Sequence, residues 1–112
     1  MMASTKQLHQ TVEDVAAPVV TDPVNDGIFS SPLVIKINRG TGGLWAAKDF
    51  EVDFYPDGPE DMFKQHDQGH FQQTLRPGPQ ELHTRGRWYA GADQAQSAWV
   101  IKSFFVLTPP AR

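Results

Sequence analysis

Apolar and polar residues alternate most regularly at positions 50–55. The apolar positions are Phe50, Val52 and Phe54, and the acidic positions between them are Glu51 and Asp53. Side chains two residues apart lie on the same face of an extended chain. The segment therefore predicts a β-strand whose apolar face is buried and whose acidic face is exposed to solvent.

Similar but shorter patterns occur at residues 18–21, 33–37 and 71–75. Proline- and glycine-rich stretches at 56–59 and 76–79 separate them from the neighbouring segments. Such stretches are typical of tight turns, because proline fixes φ and glycine adopts conformations that other residues avoid. The order of the segments predicts short strands joined by turns.

Residues 82–89 form a longer alternating segment. The set expected to face the core is Leu82, Thr84, Gly86 and Trp88. The set expected to face solvent is His83, Arg85, Arg87 and Tyr89, because the arginine side chains prefer water. Gly86 leaves room on the inner face for a large neighbour such as an aromatic ring.

The last segment, residues 98–107, is apolar on both faces. One face carries Trp99, Ile101, Ser103, Phe105 and Leu107, and the other carries Val100, Lys102, Phe104 and Val106. A slip of one residue exchanges the two faces, so periodicity alone does not choose the register. A bulge near Lys102, or a partner that covers the outer face, would each explain the pattern.

About seven short strands with turns at roughly 8–12-residue intervals are typical of an antiparallel two-sheet β-sandwich. No helix-length segment lies between them, which disfavours parallel α/β folds. We expect residues 1–16 to be a flexible tail or linker, residues 17–108 to be one domain, and residues 109–112 to be a C-terminal tail.

The bulk properties narrow the classes of partner. The chain has 112 residues, a net charge of −3 and scattered Lys and Arg residues, so neither nucleic acid nor an anionic membrane is an expected partner. It has no Cys, which excludes disulfides, thiolate zinc sites and cysteine nucleophiles. Residues 1–15 hold no apolar run of signal-peptide length. A cytoplasmic protein, export without a cleaved leader, and a module of a longer protein all stay open.

The order of several short motifs resembles bacterial immunoglobulin-like repeats, which include fibronectin-III-like domains. The opening at residues 18–27, the strand and Asp-Gly turn at 52–58, the Leu-x-Pro-Gly sequence at 75–78 and the closing strand at 103–106 carry the resemblance. The chain departs from the family at residues 79–81, where a histidine is common, and at Trp88, where an aspartate is usual.

The resemblance implies an immunoglobulin-like sandwich that binds a protein or a carbohydrate, or spaces other domains, without catalytic residues or cofactors. It also implies that Phe104 and Val106 face inward. Aromatic and arginine side chains are frequent in binding surfaces. The candidate ligand contacts are Trp45 in a glycine-rich loop, Tyr89, Arg85 and Arg87.

Two groups of polar residues are candidate metal ligands. His66 and His70 have the spacing of ligands on one helix face, and Asp57 and Asp61 lie in an acidic loop. The surrounding Gly, Gln and Asp residues favour a solvated loop instead, so we expect no metal site.

Three functions remain as hypotheses. The first is a non-catalytic binding or spacer module. The second is a small self-assembling component of a virion, secretion system or toxin complex, which the doubly apolar last strand favours. The third is a hydrolase that uses paired carboxylates such as Glu51 and Asp53. It is the weakest, since a general acid needs a desolvated pocket and the sequence indicates none.

Overall fold

The computed structural model describes residues 15–59 and 68–109, which form nine β-strands and no helix. The fold is therefore all-β, with nine strands in place of about seven. No helix capable of crossing a membrane is found in these two segments. The strands are β1 (Val19–Asp22), β2 (Ile28–Phe29), β3 (Leu33–Asn38), β4 (Asp49–Tyr55), β5 (Gly58–Pro59), β6 (Gln68–Gln73), β7 (Gly78–Ala90), β8 (Asp93–Gln96) and β9 (Val100–Val106).

The smaller sheet has three antiparallel strands in the order β1-β3-β6. Its central strand, β3, shows the alternation that its sequence predicts. Leu33, Ile35 and Ile37 are buried, whereas Lys36 is exposed. The β-branched and leucine side chains thus form one apolar face, which is the face that supplies the core.

The larger sheet has six strands in the order β2-β9-β7-β4-β5, with β8 also paired to β7. The longest strand, β7, has 13 residues and organises the sheet. β4 pairs with residues 81–87 of β7. Along the other edge of β7, β9 pairs with residues 78–84 and β8 with residues 87–90.

The expectation of entirely antiparallel sheets is wrong, because β2 runs parallel to β9. The chain passes from the small sheet at β1 to the edge of the large sheet at β2. Backbone hydrogen bonds of 2.9 Å from Phe105 N–H to the Gly27 carbonyl and 2.8 Å from Leu107 N–H to the Phe29 carbonyl hold β2 in place. Asn25 Oδ1 accepts a further bond of 2.8 Å from Ser103 N–H. These contacts pair part of the β9 edge. Without them, the backbone N–H and C=O groups of that edge would be exposed.

Both sheets contribute apolar side chains to one hydrophobic core. The fully buried members from the two sheets include Ile35, Ile37, Phe50, Phe54, Leu82 and Val106. Val15 and Ala16, which the sequence analysis assigns to the tail, are also buried. Val15 forms a bridge with Trp45, and Ala16 N–H donates to the Trp45 carbonyl at 3.2 Å.

The structure settles the register of β9. Phe104 and Val106 are buried, as the family resemblance implies, and Lys102 lies half-buried on the same face. Between the pairs Arg87↔Gln96 and Thr84↔Val100, β7 has two residues whereas the facing chain has three. This extra residue is a bulge. It lies at residues 97–99 and not near Lys102. Because of it, the residues that face inward have odd numbers in β8 and even numbers in β9.

The core predicts a large difference between two phenylalanines on the large sheet. Phe54 is 0% exposed and Phe105 is 43% exposed. Phe54→Ala is expected to lower the free energy of unfolding by about 3–5 kcal/mol, because it removes a buried ring and leaves a cavity. Phe105→Ala is the matched control and should cost less than about 1 kcal/mol. Urea denaturation measures both, and equal losses would contradict the assignment of faces.

Candidate functional site

The face of the large sheet that points away from the core carries most of the predicted contact residues. We call it the outer face. Because Leu82 and Thr84 of β7 are fully buried, the alternate residues Arg85, Arg87 and Tyr89 project from the opposite side. Three of the four candidate ligand contacts are therefore brought together on one strand.

Trp45, the fourth candidate, lies elsewhere. Its ring stacks on that of Trp88, with centroids 4.4 Å apart and planes at 19°. Both rings are half-buried and pack against the core. Trp45 also lines a separate recess with the glycine-rich loop at residues 40–43. The structure thus separates Trp45 from the outer face.

A buried carboxylate anchors one end of the outer face. The side chain of Asp49 on β4 is 1% exposed, and it accepts hydrogen bonds from Arg87 Nε at 2.9 Å and Arg87 Nη2 at 3.2 Å. Tyr89 O–H donates to Asp49 Oδ2 at 3.3 Å. The hydrogen bond to Asp49 raises the pKa of Arg87 against the opposing effect of desolvation. The bidentate pair fixes the guanidinium, and the separate hydrogen bond positions the phenol.

A second ion pair lies next along the same two strands. Arg85 Nε donates to Glu51 Oε1 at 2.9 Å, and the Arg85 guanidinium carbon lies 4.2 Å from the ring centroid of Trp99. This distance is within the range of cation–π attraction. Further along β7, His83 Nε2 lies 2.8 Å from Glu81 Oε1. The outer face therefore carries two arginine–carboxylate pairs and a histidine–glutamate contact, bordered by aromatic rings.

Apolar side chains occupy the β2–β9 side of the outer face. We call this group the apolar strip, and its members are Ile28, Ile101, Phe105 and Leu107, which are all exposed. Ile28 and Phe105 are register partners on neighbouring strands. Exposed apolar patches of this kind, bordered by polar residues, are typical of interaction surfaces.

The acidic face of β4 is less exposed than its sequence predicts. Asp53 is buried, and its register partners are His83 on β7 and Pro59 on β5. The expectation of a solvent-exposed acidic face is wrong at this position, which lies between residues of the two neighbouring strands. Glu51 is half-buried and paired with Arg85.

The weak metal candidates are not brought together in the described part of the chain. His66 and Asp61 lie outside the described residues. His70 is exposed on β6, and no group of three metal-ligating side chains occurs among the residues described. Asp57 Oδ1 and Oδ2 accept hydrogen bonds of 2.6 Å from Arg76 Nε and 3.0 Å from Arg76 N–H. Desolvation opposes them, but the hydrogen bonds from Arg76, with a smaller one from Gln80, lower the pKa of Asp57.

Sequence reasoning missed several outer-face residues. Asp49, Gln94 and Gln96 are not among the predicted site residues, and Trp99 is named only as part of the last strand. Asp49 alternates with Phe50 in the same way as Glu51 and Asp53 alternate with Val52 and Phe54. This pattern could have assigned Asp49 to the outer face. No strand is predicted at residues 93–96, where the structure has β8 with its two glutamines.

No protein-family model matches the chain, and the searches of curated proteins and of solved structures also find no significant match.

The Asp49–Arg87 pair predicts a measurable loss of stability. Arg87→Met should lower the free energy of unfolding by about 1–3 kcal/mol, because the Asp49 carboxylate stays buried without its charged partner. Adding Asp49→Leu should recover part of that loss, since no charge is then left unpaired. Lys36→Met is the control, because Lys36 and Asp22 are 3.6 Å apart and both well exposed, and it should cost at most about 1 kcal/mol. Chemical denaturation gives all three values, and an Arg87→Met loss no larger than the control would contradict this account.

Proposed function

We propose that the chain is a non-catalytic immunoglobulin-like module that recognises a ligand through its outer face. The observation that carries the proposal is the arrangement of arginine and aromatic side chains on one face of the large sheet. The fold supplies the support for that surface, and the side chains supply its chemistry.

The strand order supports the immunoglobulin-like arrangement. Immunoglobulin domains place strands A, B and E in one sheet and strands G, F and C in the other, with C′ beside C in the variable type. The orders β1-β3-β6 and β9-β7-β4-β5 correspond to these two sets. The proposal also requires that the two sheets pack face to face, for which the shared core gives support.

A polar corner gives independent support. Immunoglobulin domains have a buried tyrosine near the start of strand F that hydrogen-bonds to the backbone a few residues upstream. At the corresponding place Gln80 is buried near the start of β7, and its Nε2 donates to the Arg76 carbonyl at 2.9 Å. In the proposed fold, Gln80 would take the place of that tyrosine.

The composition of the outer face supports recognition. Arginine, tyrosine and tryptophan are the residues most enriched among the energetically important positions of interfaces. Arg85, Arg87, Tyr89 and Trp99 are all partly exposed and each is held by an ionic or ring contact. Fixed side chains lose less conformational entropy when a ligand binds, so this surface is suited to binding.

The proposal predicts that affinity depends on Arg85. A screen against glycans and purified proteins should find a ligand for the full chain, and Arg85→Ala should weaken its binding at least tenfold. Trp45→Ala is the comparison, because Trp45 lies away from the outer face, and it should leave the affinity of the folded protein unchanged. Calorimetric titration measures the affinities, and denaturation confirms that both variants fold.

Three results would count against the module. They are the absence of any ligand, binding that depends on Trp45 but not on Arg85, and turnover of a screened substrate. The second result would move the contact surface to the glycine-rich loop, and the third would favour the hydrolase.

The apolar strip favours self-assembly as a second candidate function, and its proposed occupant is a second copy of the chain. Glu81 and Arg85 lie two residues on either side of His83 on β7. In a two-fold arrangement centred near His83, Glu81 of one copy faces Arg85 of the other. Isologous contacts of this kind are self-complementary in charge, and Ile101, the register partner of His83, would lie against its own counterpart.

Ile101→Lys is expected to shift a concentration-dependent dimer to monomer, because it places a charge within the apolar strip. Val19→Lys is the matched control, since Val19 is also exposed on a strand but belongs to the small sheet. Sedimentation velocity at several protein concentrations gives the result. A monomer at every concentration, or equal effects of the two lysines, would exclude assembly through this strip.

A further inference from the structure

A recess with a volume of about 300 Å³ lies on the outer face where β4, β7 and β8 meet. Its wall includes Asp49, Arg87, Tyr89, Gln94 and Gln96. The volume is at the lower end of the range for small-molecule sites, roughly 300–1,000 Å³. The recess is therefore suited to one ring of a larger ligand or to a small molecule.

The charges that line the recess cancel each other. Asp49 is the carboxylate of the wall and Arg87 is its cation, and the two form a bidentate pair. Because the carboxylate is almost completely buried, it offers little to a cation from solvent. Because the guanidinium is already neutralised, its attraction for an anion is weak. The ligand that fits this wall carries no net charge.

The recess nevertheless offers many hydrogen bonds. A guanidinium has five N–H donors. Arg87 directs two of them at Asp49. Gln94 and Gln96 on β8 each add an amide that both donates and accepts. Their neighbour Ala95 is buried, so both glutamines project from the outer face beside Arg87 and Tyr89. Donors and acceptors thus lie side by side, as the hydroxyl groups of a neutral polyol require.

Tyr89 adds an aromatic surface. It is 36% exposed, its hydroxyl is bonded to Asp49, and Lys48 Nζ lies 5.5 Å from its ring centroid. Aromatic rings contact the apolar C–H faces of ligands while their polar ends stay hydrated. Asp49 holds Tyr89 and Arg87 in place before a ligand arrives, which reduces the entropic cost of binding.

We infer that this recess binds one ring of a neutral saccharide. The inference rests on the proposed recognition function and names its ligand class and site. Arg87 and the two glutamines would bond the ring hydroxyls, and Tyr89 would contact the ring itself.

The test uses the full ¹⁵N-labelled chain titrated with cellotetraose, maltotetraose and xylotetraose as neutral probes. Trigalacturonate and inorganic phosphate serve as charged probes. At least one neutral probe should shift the side-chain amide resonances of Gln94 and Gln96 and the Nε–H resonance of Arg87, and the charged probes should not. The double variant Gln94→Ala, Gln96→Ala should weaken that binding at least tenfold. Gln72→Ala is the control, because Gln72 is exposed on β6 of the small sheet and should have no effect.

Two outcomes would overturn the inference. One is that no neutral probe shifts these resonances, and the other is that binding occurs but the double variant leaves it unchanged. Neither by itself removes the recognition function. A protein ligand whose binding depends on Arg85 would still support the module while excluding the saccharide site. Resonances outside β8 that stay unchanged in the double variant confirm that it folds.

Discussion

The fold and its outer face depend on one interaction. Alternate side chains of β4 and β7 are buried in the core that the large sheet shares with the small sheet. Phe50, Phe54 and Leu82 are completely buried in this core. Their burial fixes the register of the two strands, because a slip of one residue would place apolar rings in solvent and charges in the core. The same constraint determines which residues face outward. Arg85 and Arg87 therefore project from the sheet because Leu82 and Thr84 are held inside.

Once the register is fixed, the outer face follows from cross-strand pairing. Glu51 lies opposite Arg85, and Asp49 lies opposite Arg87. Opposite charges in these positions attract each other, so the ion pairs favour the register that the core selects. The two constraints act on different faces of the same pair of strands and agree with each other. Agreement of this kind between core packing and charge pairing is typical of a sequence that specifies one structure.

The sequence predicted the all-β class and the alternation within β3, β4 and β7, because each depends on a period of two that is visible locally. It did not predict the parallel pairing of β2, which depends on hydrogen bonds between residues about 78 positions apart. Gly86 was expected to make room for a large ring. Its hydrogen atoms instead face the Ala47 side chain, where an added Cβ would lie 2.7 Å from Ala47 Cβ. The backbone of Ala16 also approaches Gly86 closely, and no local pattern reveals that approach.

Only part of the candidate site could be predicted from the sequence, because the rest depends on contacts between distant residues. Parity places Arg85, Arg87 and Tyr89 on one face, whereas Trp45 is a candidate because it is an aromatic residue in a glycine-rich loop. Its stacking on Trp88 brings together residues 43 positions apart, which periodicity does not report. Asp49 and the glutamines of β8 became part of the site only when pairing across three strands was known.

The bulge at residues 97–99 links the polar recess to the apolar strip. In β8 the buried residue Ala95 has an odd number, whereas in β9 the buried residues Phe104 and Val106 have even numbers. Without the extra residue, the parity of β8 would continue and Ile101 and Phe105 would enter the core. Ser97 holds the bulge, because its Oγ accepts a hydrogen bond of 2.8 Å from Gly86 N–H and its own N–H donates to the Gly86 carbonyl at 2.9 Å. One extra residue thus turns Gln94 and Gln96 toward the recess and Ile101 and Phe105 toward solvent. The two candidate surfaces therefore share a single structural cause.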